Sequence, residues 1–283
     1  MKHFSLSLIF LLSLCDLFAQ SETLFTREDK VIFDKYAVYI APYRTQSMEK
    51  VLEKTAEFFI GTPYVAHTLE MTSDEAFVIN LRELDCVTFV ENVIALAETA
   101  TSQELSFDKF LSELRKLRYR GGNIGDYVSR LHYTSDWIYE NEKRGAVKNI
   151  SERLGGVKDT KKIDFMSTHR NAYKQLKNDD EMWRKIIQRE DSINNRGGFY
   201  YLPNPKIALK SKEIPHMAMI AFVTSIKGLD TSHVGFSFRK DGKLMFIHAS
   251  SAAKKVMIDK KTVYDYCMAQ KTCAGIMVVT VKP

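Results

Sequence analysis

The hydrophobic period of this chain changes near Ile214, and no other feature limits the fold as strongly. Before that point apolar residues recur at helical spacing. Residues 26–36 and 46–59 read as helices, the second with Met48, Val51, Leu52, Ala56 and Phe59 on one face. After it, residues 219–223, 233–238, 243–248, 256–258 and 275–281 are β-rich runs parted by Lys227-Gly228, Asp241-Gly242 and polar loops. Asp241-Gly242 between two such runs is a hairpin signal, since both residue types tolerate the positive φ of a tight turn. Residues 264–271 read as a helix between the last two strands. Helices followed by an antiparallel sheet predict an α+β domain.

Local signals place the connections. Gly61 ends the second helix, and Thr62-Pro63 forces an extended exit toward Tyr64. Residues 76–80 read as a strand leading into a helix at Cys86, and residues 107–117 as a further helix capped by Ser106. The middle is polar and loop-rich, with helical stretches at 127–140, 169–177 and 180–192. We expect a single domain over residues 21–283 carrying a helical, loop-rich insertion at about 100–200.

Residues 1–20 read as an export signal: Lys2 and His3, then an apolar run at 4–14 too short to anchor in a bilayer, then Leu17-Phe18-Ala19. Cleavage near Ala19 or Gln20 predicts a periplasmic or secreted protein. Lipidation of Cys15 is the competing reading, disfavoured because Leu14 stands where a small residue is required. No later stretch is long and apolar enough to be a transmembrane helix. The charge of +6 comes from Lys and Arg scattered among acids, the pattern of a solvated face, and with no nucleic-acid motif no nucleic-acid partner is expected.

Export gives the cysteines meaning. Besides Cys15 there are Cys86, Cys267 and Cys273, so at least one thiol is unpaired. Cys267 and Cys273 are close enough to close a small disulfide loop, which would leave Cys86 free, and their surroundings lack the ligands of a zinc site. Cys86 follows Asp85 and precedes apolar Val87, Val90, Val93, Ile94 and Ala97 at helical spacing, so it lies in the first turn of a helix. There the unpaired N–H groups and the helix dipole favour a thiolate. A cysteine serving as a small buried hydrophobe is the alternative.

A nucleophile needs a base, and the base a third group to orient it. His233 opens one strand of the inferred hairpin and His248 closes the other, so an antiparallel pairing brings both imidazoles to one face. Arg130, His132, Tyr133, Asp136 and Trp137 also crowd one segment. They either line a cleft or form a helix with Trp137 in the core and His132 and Asp136 paired on its surface.

Taken in order, Gly61-Thr62-Pro63-Tyr64, Asp85-Cys86, His233-Val234-Gly235 and Ile247-His248-Ala249-Ser250 resemble the NlpC/P60 superfamily of papain-like cell-wall peptidases and amidases. More closely, LDCVTFVEN, RLHYTSDWI, GLDTSHVGF and HASS are similar to the branch once catalogued as domain of unknown function 1460, associated with N-acetylmuramoyl-L-alanine amidase activity. The resemblance covers residues 47–281. It implies a papain-like NlpC/P60 fold, in which N-terminal helices, with the catalytic cysteine at a helix start, pack on an antiparallel sheet.

The same resemblance implies Cys86 as nucleophile, His233 as base and then acid, and His248 as orienting residue. Tyr64 is implied in binding substrate or oxyanion, and Arg130, His132 and Trp137 in substrate binding. Asp85 caps the helix or touches the ligand. The expected substrate is peptidoglycan or a muropeptide, cleaved by a monomer using neither metal nor cofactor. A dipeptidase cutting within the stem peptide and an inactive wall-binding module are the alternatives. Two departures stand out. Val87-Thr88 replace the Ser-Gly that grips a free stem-peptide amine in many relatives, which favours the muramoyl-L-alanine bond, and Met217-Ala218 replace a Gly-Asp pair.

Overall fold

The computed structural model describes residues 23–282, so the expected signal segment and Cys15 lie outside the described residues. Four helices form the first layer: α1 (Arg27–Ile40), α2 (Met48–Phe58), α3 (Cys86–Thr101) and α4 (Phe107–Arg118). Each start is written locally. Thr26, Ser47, Asp85 and Ser106 accept hydrogen bonds from first-turn N–H groups that would otherwise be unpaired. Past α2 the chain turns at Gly61 with φ of 93°. A short parallel pair, β1 (Thr23–Leu24) with β2 (Phe77–Val78), ties the N-terminal segment to the approach of α3.

The main sheet has eight strands: β3 (Val147–Asn149), β4 (Val157–Asp159), β5 (Phe199–Pro203), β6 (Met219–Thr224), β7 (Thr231–Lys240), β8 (Lys243–Ser250), β9 (Lys255–Ile258) and β10 (Cys273–Val281). Their order is β4-β5-β10-β6-β7-β8-β9, with β3 also on β10, and every pairing is antiparallel. The β7–β8 turn is the expected hairpin, with Asp241 and Gly242 both at positive φ. The protein is thus a mixed α+β structure on an antiparallel sheet.

Both sheet faces are covered, which is why its strands are apolar at successive positions. Met219, Ala221, Val223, Val234 and Phe236 pack under the four helices. Ile220, Phe222, Phe246, Ile276 and Val278 pack under α9 (Asn204–Lys210) and α10 (Val263–Met268). Arg118 and Glu91, both buried, pair at 2.7 Å and join α4 to α3, while Arg118 Nη1 donates to Val78 O. Cys267 and Cys273 are disulfide-bonded. No helix among the described residues is long and apolar enough to cross a membrane.

The middle of the chain differs from its sequence pattern. Residues 127–140 are not one helix: a single turn at Tyr127–Ser129 is followed by α5 (Thr134–Lys143). The break has a tertiary cause, because Tyr119 and Arg130 form an antiparallel bridge and Leu131 N donates to Arg118 O at 3.0 Å. Residues 169–177 likewise split into short turns, the second being α7 (Lys174–Lys177) after α6 (Phe165–Thr168). Besides α8 (Asp180–Asn194), this segment supplies β3, β4 and β5 to the main sheet. Its own small core joins Tyr127, Tyr133, Met166, Leu176, Ile186 and Ile193.

Candidate active site

Cys86 is the first residue of α3, set there by a reciprocal cap. Asp85 Oδ1 accepts from Thr88 N at 2.7 Å, and Thr88 Oγ1 accepts from Asp85 N at 2.9 Å. Thr88 therefore has a structural duty, and Asp85 is the cap. Cys86 is half-buried as a residue and carries the one free thiol among the described residues.

Its protonation departs from expectation. Burial, then the neighbouring Asp85 carboxylate, push the Cys86 thiol up to about 12, against the N–H groups of Val234, Cys86 and Val87, which pull it down. Desolvation outweighs the helix terminus, so the resting group is a thiol and not the thiolate that helix position alone suggests. The N–H groups of Val234, Cys86 and Val87 still oppose that rise, and the same donors favour negative charge developing on the sulfur.

The imidazoles do meet. His233 Nε2 lies 2.6 Å from His248 Nδ1, with the ring planes perpendicular at 89°. Gly235 permits this approach: a Cβ there would come within 2.7 Å of Ile247 O and 2.8 Å of His248 Cβ. A bulge between Phe222 and Val223, opposite His233, adds local twist at the same end of the sheet. Burial, then the charge of His248, lowers His233 to about 3, and burial lowers His248 to about 4. Both rings are therefore neutral at neutral pH.

Two further residues complete the cluster. Asp259 Oδ2 sits 3.3 Å from His248 Nε2, a buried atom that makes no hydrogen bond among the described residues, and Asp259 Oδ1 is fixed by Lys261 N at 2.7 Å. Tyr266 from α10 packs its ring 5.8 Å from His233 and 5.7 Å from His248. Burial, then the charges of Asp259 and Cys86, push the Tyr266 hydroxyl up to about 12. Tyr64 is raised by burial and then by the charges of Cys86 and Asp85.

The remaining expected residues divide. His132 and Trp137 line a small pocket together with Val87 and Val234, the neighbours of Cys86 and His233. His132 Nε2 lies 2.7 Å from Tyr127 O, which can only accept, so Nε2 carries the proton and Nδ1 is left as an acceptor. Burial, then Arg130, lowers His132 to about 3 and keeps it neutral. The Trp137 indole N–H is buried without a partner among the described residues. Arg130 is engaged elsewhere, with Glu70 at 2.7 Å, Glu75 at 3.3 Å and the Tyr127 ring at 5.1 Å. It braces the wall carrying His132.

This wall is tied to β7, the strand that carries His233. Asp230 Oδ2 accepts from Ser135 N at 2.6 Å, capping α5 from across the structure, and Thr231 Oγ1 donates to Thr134 Oγ1 at 2.6 Å. Two residues before His233 thus fix the helix that presents Trp137. Among the described residues no group of three or more His, Cys, Asp or Glu side chains is placed to hold a metal ion.

Residues 54–276 match the family described as AmiA-like, N-acetylmuramoyl-L-alanine amidase-like. The chain belongs to the AmiA-like family. A solved N-acetylmuramoyl-L-alanine amidase from Bacteroides uniformis is 35% identical, with a TM-score of 0.76, and the match covers 83% of this chain and 99% of that one. A Bacteroides fragilis structure described as a candidate xylanase is 34% identical, with a TM-score of 0.76 over 80% of this chain and 99% of that one. A Legionella pneumophila protein of the 1460 family, at 23% identity and a TM-score of 0.64 over 89% and 96%, shares the fold. No curated protein sequence matches the chain.

Proposed function

We propose that this AmiA-like protein is a cysteine amidase of the papain-like NlpC/P60 type, hydrolysing the N-acetylmuramoyl-L-alanine amide of peptidoglycan or its fragments outside the cytoplasm. The observation that carries the reading is the clustering of His233, His248 and Asp259 at the end of the sheet where Val234, the residue after His233, adjoins a capped helix-start thiol. A single polarity satisfies this chain. The Asp259 carboxylate, 3.3 Å from His248 Nε2, favours the tautomer protonated at that nitrogen, leaving His248 Nδ1 to accept from His233 Nε2–H. His233 Nδ1 then carries the lone pair and is the base for Cys86.

Because thiol and imidazole are both neutral at rest, charge separation is coupled to attack and does not precede it. Cys86 sulfur bonds to the lactyl carbonyl carbon as its proton passes to His233 Nδ1. The carbonyl oxygen becomes an oxyanion, received by the Cys86 N–H and the Tyr64 hydroxyl. Collapse breaks the C–N bond, His233 protonates the departing alanine nitrogen, and water, deprotonated by His233, releases the acyl group from sulfur. These steps use protein groups alone. The acceptor Nδ1 of His132 and the donor N–H of Trp137 orient the substrate from the facing wall. We read residues 21–283 as one catalytic domain in which the middle segment builds that wall.

A glycosidase reading is less well supported, since it needs two carboxyl groups flanking the scissile bond. Here Asp85 is committed to the α3 cap and Asp259 to His248 and Lys261. The test is digestion of purified muropeptides followed by mass analysis. The wild type should release stem peptides with an L-alanine N-terminus and Cys86→Ala should release none; products cut within the stem, or activity retained by the variant, would overturn the assignment.

A further inference from the structure

Away from the thiol, a cleft of about 560 Å³ lies between residues 120–129 and α8, lined by Arg120, Asn123, Lys185, Gln188 and Arg189. Charge is unevenly satisfied around it. Buried Asp136 is shared by Arg120 and Arg196, at 2.7 Å from Arg196 Nη1. Glu140 is also shared by these two arginines, at 2.8 and 3.7 Å. Lys185 is held by Asp126 at 2.9 Å and Glu181 at 3.0 Å. Three guanidinium groups therefore compete for two carboxylates, and Arg189 is the one left without an ion pair among the described residues. Its Nε, like that of Arg120, is buried with no hydrogen-bond partner. Burial, then the charge of Arg120, lowers its pKa, with Arg196 adding to the fall and Asp136 and Glu140 opposing it.

A half-buried guanidinium with no ion pair of its own, at the wall of a cleft whose one lining carboxylate, Asp126, is held by Lys185, lacks a directly bound counter-ion. Its planar fork matches an oxyanion, and Asn123 and Gln188 place two more side-chain amides in the same cleft. We propose that this cleft is a binding site for a small oxyanion, a carboxylate or a phosphate, centred on Arg189. The site is separate from the Cys86 cluster, and the resemblance to amidases plays no part in deriving it. Its use for the carboxylates of a stem peptide would rest on the amidase reading, whereas its affinity for phosphate does not.

The experiment titrates the full mature chain with inorganic phosphate and, separately, with the tripeptide L-Ala-γ-D-Glu-diaminopimelate. It reads the Arg189 Nε–H resonance and the melting temperature. A saturable shift of that resonance is expected, with a rise of about 2–4 °C at ten times the dissociation constant. Both should vanish in Arg189→Gln, whose own melting temperature should equal or exceed that of the wild type because a like-charge clash is relieved. Binding of the tripeptide alone would identify stem carboxylates as the source, and binding of phosphate alone a phosphate-bearing one. No response to either ligand at Arg189, or a glutamine variant melting well below the wild type, would overturn the proposal, while leaving Cys86-dependent hydrolysis untouched.

Discussion

The substitution Asp259→Asn isolates the group that sets the polarity of the histidine chain. Asp259 Oδ2 lies 3.3 Å from His248 Nε2, which makes no hydrogen bond among the described residues, while the carboxylate is anchored through Lys261 N. When His233 takes the thiol proton, positive charge spreads toward His248 and meets Asp259. Tightened into a hydrogen bond as that charge develops, the contact contributes about 1.5–3 kcal/mol, equivalent to roughly 10–150-fold in rate. The asparagine variant removes this charge and also turns an amide N–H toward Nε2, favouring the opposite tautomer in both rings. The combined expectation is a fall in kcat of about 10²–10³-fold with KM changed less than about threefold, since Asp259 does not reach substrate. Steady-state kinetics on a muramoyl-L-alanine substrate, with circular dichroism to verify folding, make the test. Unchanged kcat, or a loss confined to KM, would refute the proposed relay.

Three other outcomes follow from the geometry. Alkylation of Cys86 by iodoacetamide should rise steadily from pH 6 to 10 with no plateau near neutrality, because the thiol is held up to about 12 and thiolate accumulates only as pH climbs toward that value; a plateau below pH 8 would show a preformed ion pair. Gly235→Ala forces a Cβ within 2.8 Å of His248 Cβ and 2.7 Å of Ile247 O. It should destabilise the fold by about 1–3 kcal/mol in urea melts and lower kcat more than tenfold by separating the imidazoles. Asp230→Asn should weaken the cap on α5 and shift KM more than kcat, as judged by the same kinetics, because Asp230 positions the helix bearing Trp137.

What could be read from the chain depended on how local its cause was. Thr26, Ser47, Asp85 and Ser106 announce their helices through side chains three residues from the N–H groups they accept. Asp241-Gly242 fixes the hairpin, and the hairpin brings His233 to His248. The break at residues 130–131 escaped the periodicity because its cause is pairing with Arg118 and Tyr119. Strands β3 and β4 carry Val-Lys-Asn and Val-Lys-Asp, too short to alternate, and exist because β10 and β5 supply their partners. Asp259 and Tyr266 carry no motif and reach the site through β9 and α10. The neutral thiol was hidden for a different reason: helix position is visible in sequence, but the burial that outweighs it is not.

The most direct test of the central claim is capture of the covalent intermediate. Wild-type protein mixed with excess muramoyl-L-alanine substrate and quenched in acid within the first turnover should yield a peptide containing Cys86 that is heavier by the lactyl-linked glycan, and the adduct should be absent from Cys86→Ser. Release of L-alanine-terminated peptide with no adduct on Cys86 at any time in that turnover would contradict a thiol nucleophile and the account built on it.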